Sequence, residues 1–341
     1  MPLMDNPIMS RIKSIAFSCI SGLRLPRILH KISPRDRLTI VMYHSVIRSP
    51  LPANDWCFLP ESSFQEQMSY LRKHFDVIPL REAAKKLREG SLRRPTAAIT
   101  FDDGFQNNYD VAFPILKKEG LPAAIFLVTG LVDTNETVWF CRLHEAVIKT
   151  RKTKVEWRGT SFDVSTSGAK SFVSAVFQER LKAFASPEFF KELARLFRIL
   201  DYDPSRSVEA GSPFRMLSRA AIREMVASGL IEFGAHACSH MILNQLSEAE
   251  SAREIRESVS AVSEMTERPC RLFSYPNGRA CDYSRRAVET LEQSGVGVAV
   301  TTTAGPNDCR TPSLELKRYG IGNDTTRAQF QIRAHHFLHP F

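Results

Sequence analysis

Two short clusters of this 341-residue chain combine residue types that could do chemistry. Thr100-Phe-Asp102-Asp103-Gly104 sets two carboxylates side by side. Two adjacent carboxylates repel if both are ionised and buried, and a divalent cation relieves that repulsion. Neighbouring residues point in different directions, so one Asp can bind a metal while the other faces the water to be activated. Taken alone the same residues also read as a turn, because Asp-Gly is a common turn pair. Gly234-Ala-His236-Ala-Cys-Ser-His240 adds two imidazoles four residues apart, which converge on one ion if a tight loop holds them. Two unrelated surface histidines are the plainer reading of a chain with nine His. Two imidazoles and one carboxylate leave coordination positions open for water and substrate, the pattern of a hydrolytic metal site. Cys238 lies inside that segment but points away if both histidines point in.

The positions of these residues relative to apolar runs strengthen the metal reading. Leu38–Tyr43 reads as a buried strand with His44 just past its end, and residues 97–101 run as a strand straight into Asp102. Strands at 121–128, 230–234, 271–275 and 296–302 follow, with a further one near 315–321 and a short one at 77–80. Helical spacing occupies 61–75, 81–89, 106–119, 218–228, 247–266 and 283–293. Gly120 suits a helix C-cap, and Ser247 followed by Glu248 and Glu250 suits a helix start. This alternation predicts βαβ units around a parallel sheet. Polar groups then gather after four strand ends: His44, Asp102-Asp103, His236–His240 and Tyr275–Gly278. Parallel α/β folds put their active sites at that edge.

Composition excludes other classes. With 43% apolar and 24% charged residues the chain is globular, neither disordered nor collagen-like nor a coiled coil. The formal charge of +9 is spread thinly, without the single basic face of a nucleic-acid binder. It suits an anionic membrane surface or a polyanionic glycan. Seven scattered cysteines, an odd number without any CxxC, argue against a disulfide scaffold or a Cys-only zinc site and for a reducing compartment. The apolar stretch Ile12–Leu25 is too short and too interrupted to span a bilayer and has no convincing cleavage site. It reads either as a surface helix or as a packing extension.

The segments TFDDG at 100–104, HxxxH at 236–240 and FSYPNG at 273–278, with AAIFLVTG at 123–130, resemble the polysaccharide deacetylases of NodB-homology type, carbohydrate esterase family four. The resemblance covers roughly 38–130 and 216–322. It implies an α/β fold, a distorted (β/α) barrel with fewer than eight regular repeats. It also implies a metal triad of Asp103, His236 and His240, and Asp102 as general base. Zinc is the implied cation. The implied reaction is hydrolysis of an N-acetyl group on an amino sugar, releasing acetate, with an oxyanion held near Asn277 and with Tyr275 beside it. Val41-Met-Tyr-His44 resembles the early strand end of the poly-N-acetylglucosamine deacetylases, where the general acid comes first in the chain, and this assigns His44 that role.

The chain departs from the family pattern in two places. Many members carry an arginine in the third motif that braces the catalytic Asp, but Ser274 aligns there, which leaves Arg279 or Arg318 to orient Asp102. No Leu-x-His strand end follows residue 300; His335, His336 and His339 fall in a C-terminal segment that reads as helix or tail. The resulting division is an N-terminal extension at 1–36, a barrel at 37–322 with an insertion at about 131–215, and a C-terminal segment at 323–341. The insertion follows a strand whose end faces the site, so it should form one wall of the cleft. Trp139 and Phe140 could stack on a sugar there, although core packing is the commoner fate of such aromatics. The expected substrate is an N-acetylated glycan or a lipid-linked sugar in cell-surface polysaccharide metabolism. The expected location is the cytoplasm, with peripheral contact at the inner membrane face. A non-sugar amide hydrolase of the same fold and a catalytically silent glycan-binding module are the alternatives.

Overall fold

The computed structural model describes residues 35–336. Strand β1 (Leu38–Tyr43) precedes a small parallel pair, β2 (Ser45–Ile47) and β3 (Phe58–Pro60). Helix α1 (Glu61–His74), β4 (Asp76–Val77), α2 (Leu80–Arg88) and β5 (Thr96–Phe101) follow. A π-helical turn, Asn108–Ala112, then runs into α3 (Phe113–Glu119) and β6 (Ala123–Leu127). The alternation breaks at α4 (Trp139–Lys149), the hairpin β7 (Lys154–Trp157) and β8 (Thr160–Asp163), α5 (Ser167–Leu181) and α6 (Glu188–Ile199). It resumes with α7 (Arg219–Ala227), β9 (Ile231–Ala235), α8 (Glu248–Thr266), β10 (Leu272–Ser274), α9 (Arg285–Gln293), β11 (Val298–Val300), β12 (Tyr319–Gly320) and α10 (Arg327–Ala334).

The main sheet is parallel, in the order β11-β10-β9-β6-β5-β1-β12, with β4 beside the start of β5. It curls until its two edges approach: Val300 of β11 bridges Leu316, just ahead of β12, and the Thr301 N–H donates to the Leu316 carbonyl at 2.8 Å. The result is a distorted, partly open (β/α) barrel. Every residue of β1 and β5 is buried, as expected of strands covered on both faces. Side chains such as Ile40, Ile99 and Ile125 are at most 1% exposed, and each such burial stabilises the fold by about 1.5–3 kcal/mol.

Local chemistry sets the boundaries. Ser247 and Glu250 form a capping box at the start of α8, and Gly120 closes α3 in the left-handed region at φ 67°. The expected strand at 77–80 is confined to Asp76–Val77, because Pro79 ends it and starts α2. The strand expected near 315–321 is regular only at Tyr319–Gly320, with one isolated bridge at Leu316.

The hairpin β7–β8 was not expected from the sequence. Its signal was there: Lys154–Trp157 alternates exposed and buried, and the turn residues Arg158 and Gly159 take φ 50° and 71°, the conformation of a tight hairpin turn. Leu143, Trp157, Phe177, Phe189 and Leu196 form a cluster of their own behind it, separate from the barrel core.

Helix α10 packs under the barrel, where the Thr39 hydroxyl donates to the Ala334 carbonyl at 2.8 Å. His335 and His336 lie on that side, against Tyr70 and Tyr319. The Ile12–Leu25 stretch and His339 lie outside the described residues. Among the described residues no helix is long and apolar enough to cross a membrane, and the six cysteines are free.

Candidate active site

Four parallel strands deliver the site, each from its C-terminal end. β5 ends in Asp102 and Asp103, β9 in His236, β10 in Ser274, and β1 in His44. Asp103 leaves β5 with φ 71° and is followed by Gly104 at φ 81°. A Cβ on Gly104 would stand 2.7 Å from a Leu127 methyl, so only glycine lets the chain turn here against β6. Ala237, His240 and Asn277 also have positive φ, between 58° and 61°. Backbone of this kind is costly for non-glycine residues and gathers where side chains must be aimed.

Asp103, His236 and His240 converge. Asp103 Oδ1 lies 3.6 Å from His236 Nε2 and 3.3 Å from His240 Nε2, and one ligand atom from each falls within 4.8 Å of the others. All three residues are buried. Neither Asp103 oxygen has a hydrogen-bond partner among the described residues, a costly state for a buried carboxylate. Burial, and then the Asp102 charge, push its pKa well up, while burial pushes both imidazoles down. A buried acceptor-only carboxylate beside two neutral imidazoles fits a divalent cation. His236 Nδ1 donates to the Ser274 carbonyl at 2.7 Å, which leaves Nε2 to coordinate and fixes the ring as outer partners of metal ligands do. Cys238 stays out of the cluster, its sulfur against the Glu254 carbonyl and its N–H on the Glu254 carboxylate.

Asp102 is clamped rather than orphaned. Arg318 forks onto it, Nη1 to Oδ1 and Nη2 to Oδ2, both at 2.7 Å. The guanidinium is fully buried, and its remaining N–H groups go to the Thr301 carbonyl at 2.8 Å, the Thr100 hydroxyl at 3.3 Å and the Ser274 hydroxyl at 2.9 Å. All five donors are therefore used. Burial alone would raise the Asp102 pKa, but Arg318, with His236 and His44, holds it well below the usual carboxylate range. Of the two arginines considered for this brace, Arg279 turns outward to Glu179 at 2.8 Å, and Arg318 supplies the bond. Ser274 thus serves twice, its carbonyl on His236 and its hydroxyl on Arg318.

His44 faces the same cavity, edge-on to Trp56 with ring centroids 4.9 Å apart. Its Nδ1 is buried without a partner among the described residues. Burial, offset in part by Asp102, lowers its pKa to about 4, so the ring is neutral at pH 7. The cavity holds about 80 Å³ and is lined by His44, Asp102, His236, His240, Asn277 and Thr302 from the barrel. Trp139, Phe140, Gln178 and Lys182 line it from the segment between β6 and α7, so that segment does form a wall. Phe140 packs edge-on against His240, 5.3 Å between centroids.

Tyr275 does not reach this cavity. It is 1% exposed, stacks on Tyr283 at 3.9 Å and donates to the Leu314 carbonyl at 3.0 Å. Side chains alternate along extended backbone, so with Ser274 turned towards Arg318 its neighbour turns into the core. Asn277 stays at the rim, its amide on Asp282 at 2.6 Å and its carbonyl accepting from Thr302. Trp56, Gln178, Lys182 and Thr302 were missed from the sequence. Only Trp56 carried a signal, as an aromatic in a polar loop.

Comparison with known proteins bears on the family and on the fold. The sequence model of the polysaccharide deacetylase family matches residues 89–299, well over half the chain. A poly-beta-1,6-N-acetyl-D-glucosamine N-deacetylase of Staphylococcus epidermidis is 35% identical over 106 residues, 27% of this chain and 36% of that one. The chain spans about a third of the length of the curated relatives it matches, or less. Among solved structures, the Streptococcus pyogenes deacetylase PplD shares the fold with a TM-score of 0.57 at 17% identity, over 86% of this chain and 96% of that one. IcaB from Ammonifex degensii does so with a TM-score of 0.56 at 22% identity, over 88% and 97%. Both likenesses concern the fold.

Proposed function

Because the chain belongs to the polysaccharide deacetylase family, we propose that it hydrolyses N-acetyl groups on an amino-sugar glycan or a lipid-linked sugar. Members of this family generally depend on a metal, and the chain has a three-residue site for one. The observation that carries the reading is the pair of unlike carboxylates at the end of β5. Asp103 is buried and unpartnered beside His236 and His240. Asp102 is clamped and ionised one residue away. A silent binding module has no use for that combination. The brace that Ser274 could not provide comes instead from Arg318.

Each residue then has a task. Asp103, His236 and His240 would hold zinc, which the mixed imidazole and carboxylate donor set suits. When bound, the ion would supply Lewis-acid polarisation of the acetyl carbonyl and lower the pKa of water. Asp102, fixed by Arg318, takes the proton of the attacking water. The Asn277 backbone N–H helps to hold the oxyanion. His44 delivers a proton to the leaving amine. Its resting ring is neutral, so the proton it gives the amine must first reach it, and the one that Asp102 took from water is its source, which returns both residues to their starting states.

Acetate release from N-acetylglucosamine oligomers, assayed with zinc and again after chelation, tests the reaction. Zinc-dependent release is expected; no release from β-1,4- or β-1,6-linked oligomers overturns the reading. For His44, the alanine variant should keep its metal and lose about 10²–10⁴-fold in kcat, the usual worth of a general acid. Unchanged turnover would remove His44 from the mechanism.

A further inference from the structure

Helix α5 lies across the mouth of the barrel and is fastened on both sides. In the curled sheet the ends of β1 and β10 stand across the ring, separated by β5, β6 and β9 on one side and by β11 and β12 on the other. From α5, Gln178 Nε2 donates to Asp55 Oδ2 at 3.1 Å, on the loop that follows β2. On the far side, the neighbouring Glu179 receives Arg279 of the loop after β10 at 2.8 and 3.0 Å. A third tie joins the turn after α5 to the loop beyond His240, where Gln245 donates to the Lys182 carbonyl and Ser186 donates to the Gln245 carbonyl. The helix is anchored from behind as well: Ser174 bonds His144, whose other ring nitrogen meets the Ala53 carbonyl at 3.0 Å.

The space left beneath is small. At about 80 Å³ it is well below the roughly 300–1,000 Å³ of ordinary small-molecule sites. The acetamido group is the part of an N-acetylated sugar that must reach the buried carboxylates, and the sugar ring then lies towards the rim. Trp56 and the half-buried Trp139 are both presented there, and Trp56 is the more exposed of the two. It lines the cavity beside His44 and is 44% exposed, unlike the buried Phe140. Gly322 holds it in place, since a Cβ at that position would stand 2.6 Å from the Trp56 carbonyl and 2.9 Å from its ring. An exposed indole fixed at a rim is a platform for the apolar face of one sugar.

We infer that the α5 roof makes this protein act on a single terminal or carrier-linked N-acetylated sugar, stacked on Trp56, rather than on units inside a polymer. An interior unit brings a neighbour on each side and needs a groove open at both ends, and the ties to Asp55 and Arg279 close the mouth across the ring. This rests on the deacetylase reading and narrows its substrate.

The test uses the wild-type zinc-loaded protein with N-acetylglucosamine oligomers of two to six units, in both β-1,4 and β-1,6 linkage. One acetate per chain is expected at every length, with the free amine at one end by mass spectrometry. Acetate that rises with length, or amines at interior units, overturns the inference and leaves the deacetylase reading standing. No acetate from any oligomer overturns both. A binding measurement serves without turnover: calorimetry on metal-free protein should give affinities within about threefold from dimer to hexamer. Affinity that climbs tenfold or more with length means an open groove and counts against the roof. Trp56→Ala should raise KM at least tenfold with kcat within threefold, and Trp56→Phe should restore most of it. An unchanged KM for Trp56→Ala removes the platform.

Discussion

Replacing Arg318 with methionine is expected to lower kcat by about 10²–10⁴-fold, the range associated with loss of a positioned base. The same change should destabilise the protein by about 3–5 kcal/mol, the cost of breaking a buried ion pair from one side. Arg318 is fully buried with all five donors used, so no water can take its place on Asp102. Arg318→Lys should recover little, because a single ammonium cannot fork onto both carboxylate oxygens. A pH series separates positioning from loss of fold. In the wild type the Asp102 pKa is depressed. Its contribution to stability is present above the unfolded value of about 4 and fades as pH falls towards the folded value. Without Arg318, burial dominates and raises the pKa instead. Stability should then decline as pH rises from about 4 to the new value, and the acid limb of the rate profile should move upwards. A variant with a wild-type pH profile and wild-type kcat would remove the clamp from the mechanism.

Asp103→Asn should abolish metal binding, measured as zinc per chain, and with it all but a trace of acetate release. The amide keeps the shape and removes the charge that offsets the cation. Wild-type protein in zinc at 100 times its Kd should gain about 2.7 kcal/mol of stability over the chelated form, whereas Asp103→Asn should gain none. In the absence of metal the order should reverse or level. The native carboxyl pays for its burial beside Asp102, and asparagine escapes that repulsion. Full zinc occupancy in Asp103→Asn would show that the triad is not the metal site.

The candidate metal-ligand residues were legible because each motif is short and sits where an apolar run ends. A strand that stops at Phe101 or Ala235 must place the next side chains at the barrel's C-terminal edge, so Asp102, Asp103, His236 and His44 could be grouped without coordinates. The brace was harder. Ser274 stands where the family pattern has an arginine, and Arg318 is 216 residues from Asp102. It could be named as a candidate, but nothing local separated it from Arg279. The assignment of Tyr275 to the oxyanion failed because its orientation depends on the side taken by Ser274 in a three-residue strand. The hairpin Lys154–Asp163 was missed because an interrupted alternation within a helical region is a weak signal.

Local sequence by itself determined the reactive set: a doublet of carboxylates, a spaced pair of histidines and the strand ends that carry them. Backbone direction along a strand is dictated by neighbours, so these features survive without knowledge of the fold. The curled sheet alone decided the rest. It brought β12 round to β1, and Leu316 ahead of it to β11, which put the Arg318 guanidinium within 2.7 Å of Asp102 and within 2.9 Å of Ser274. It also set α5 over the mouth, tied to Asp55 and to Arg279. Contacts between residues 44 to 216 positions apart depend on how the barrel closes, and no local pattern encodes that closure.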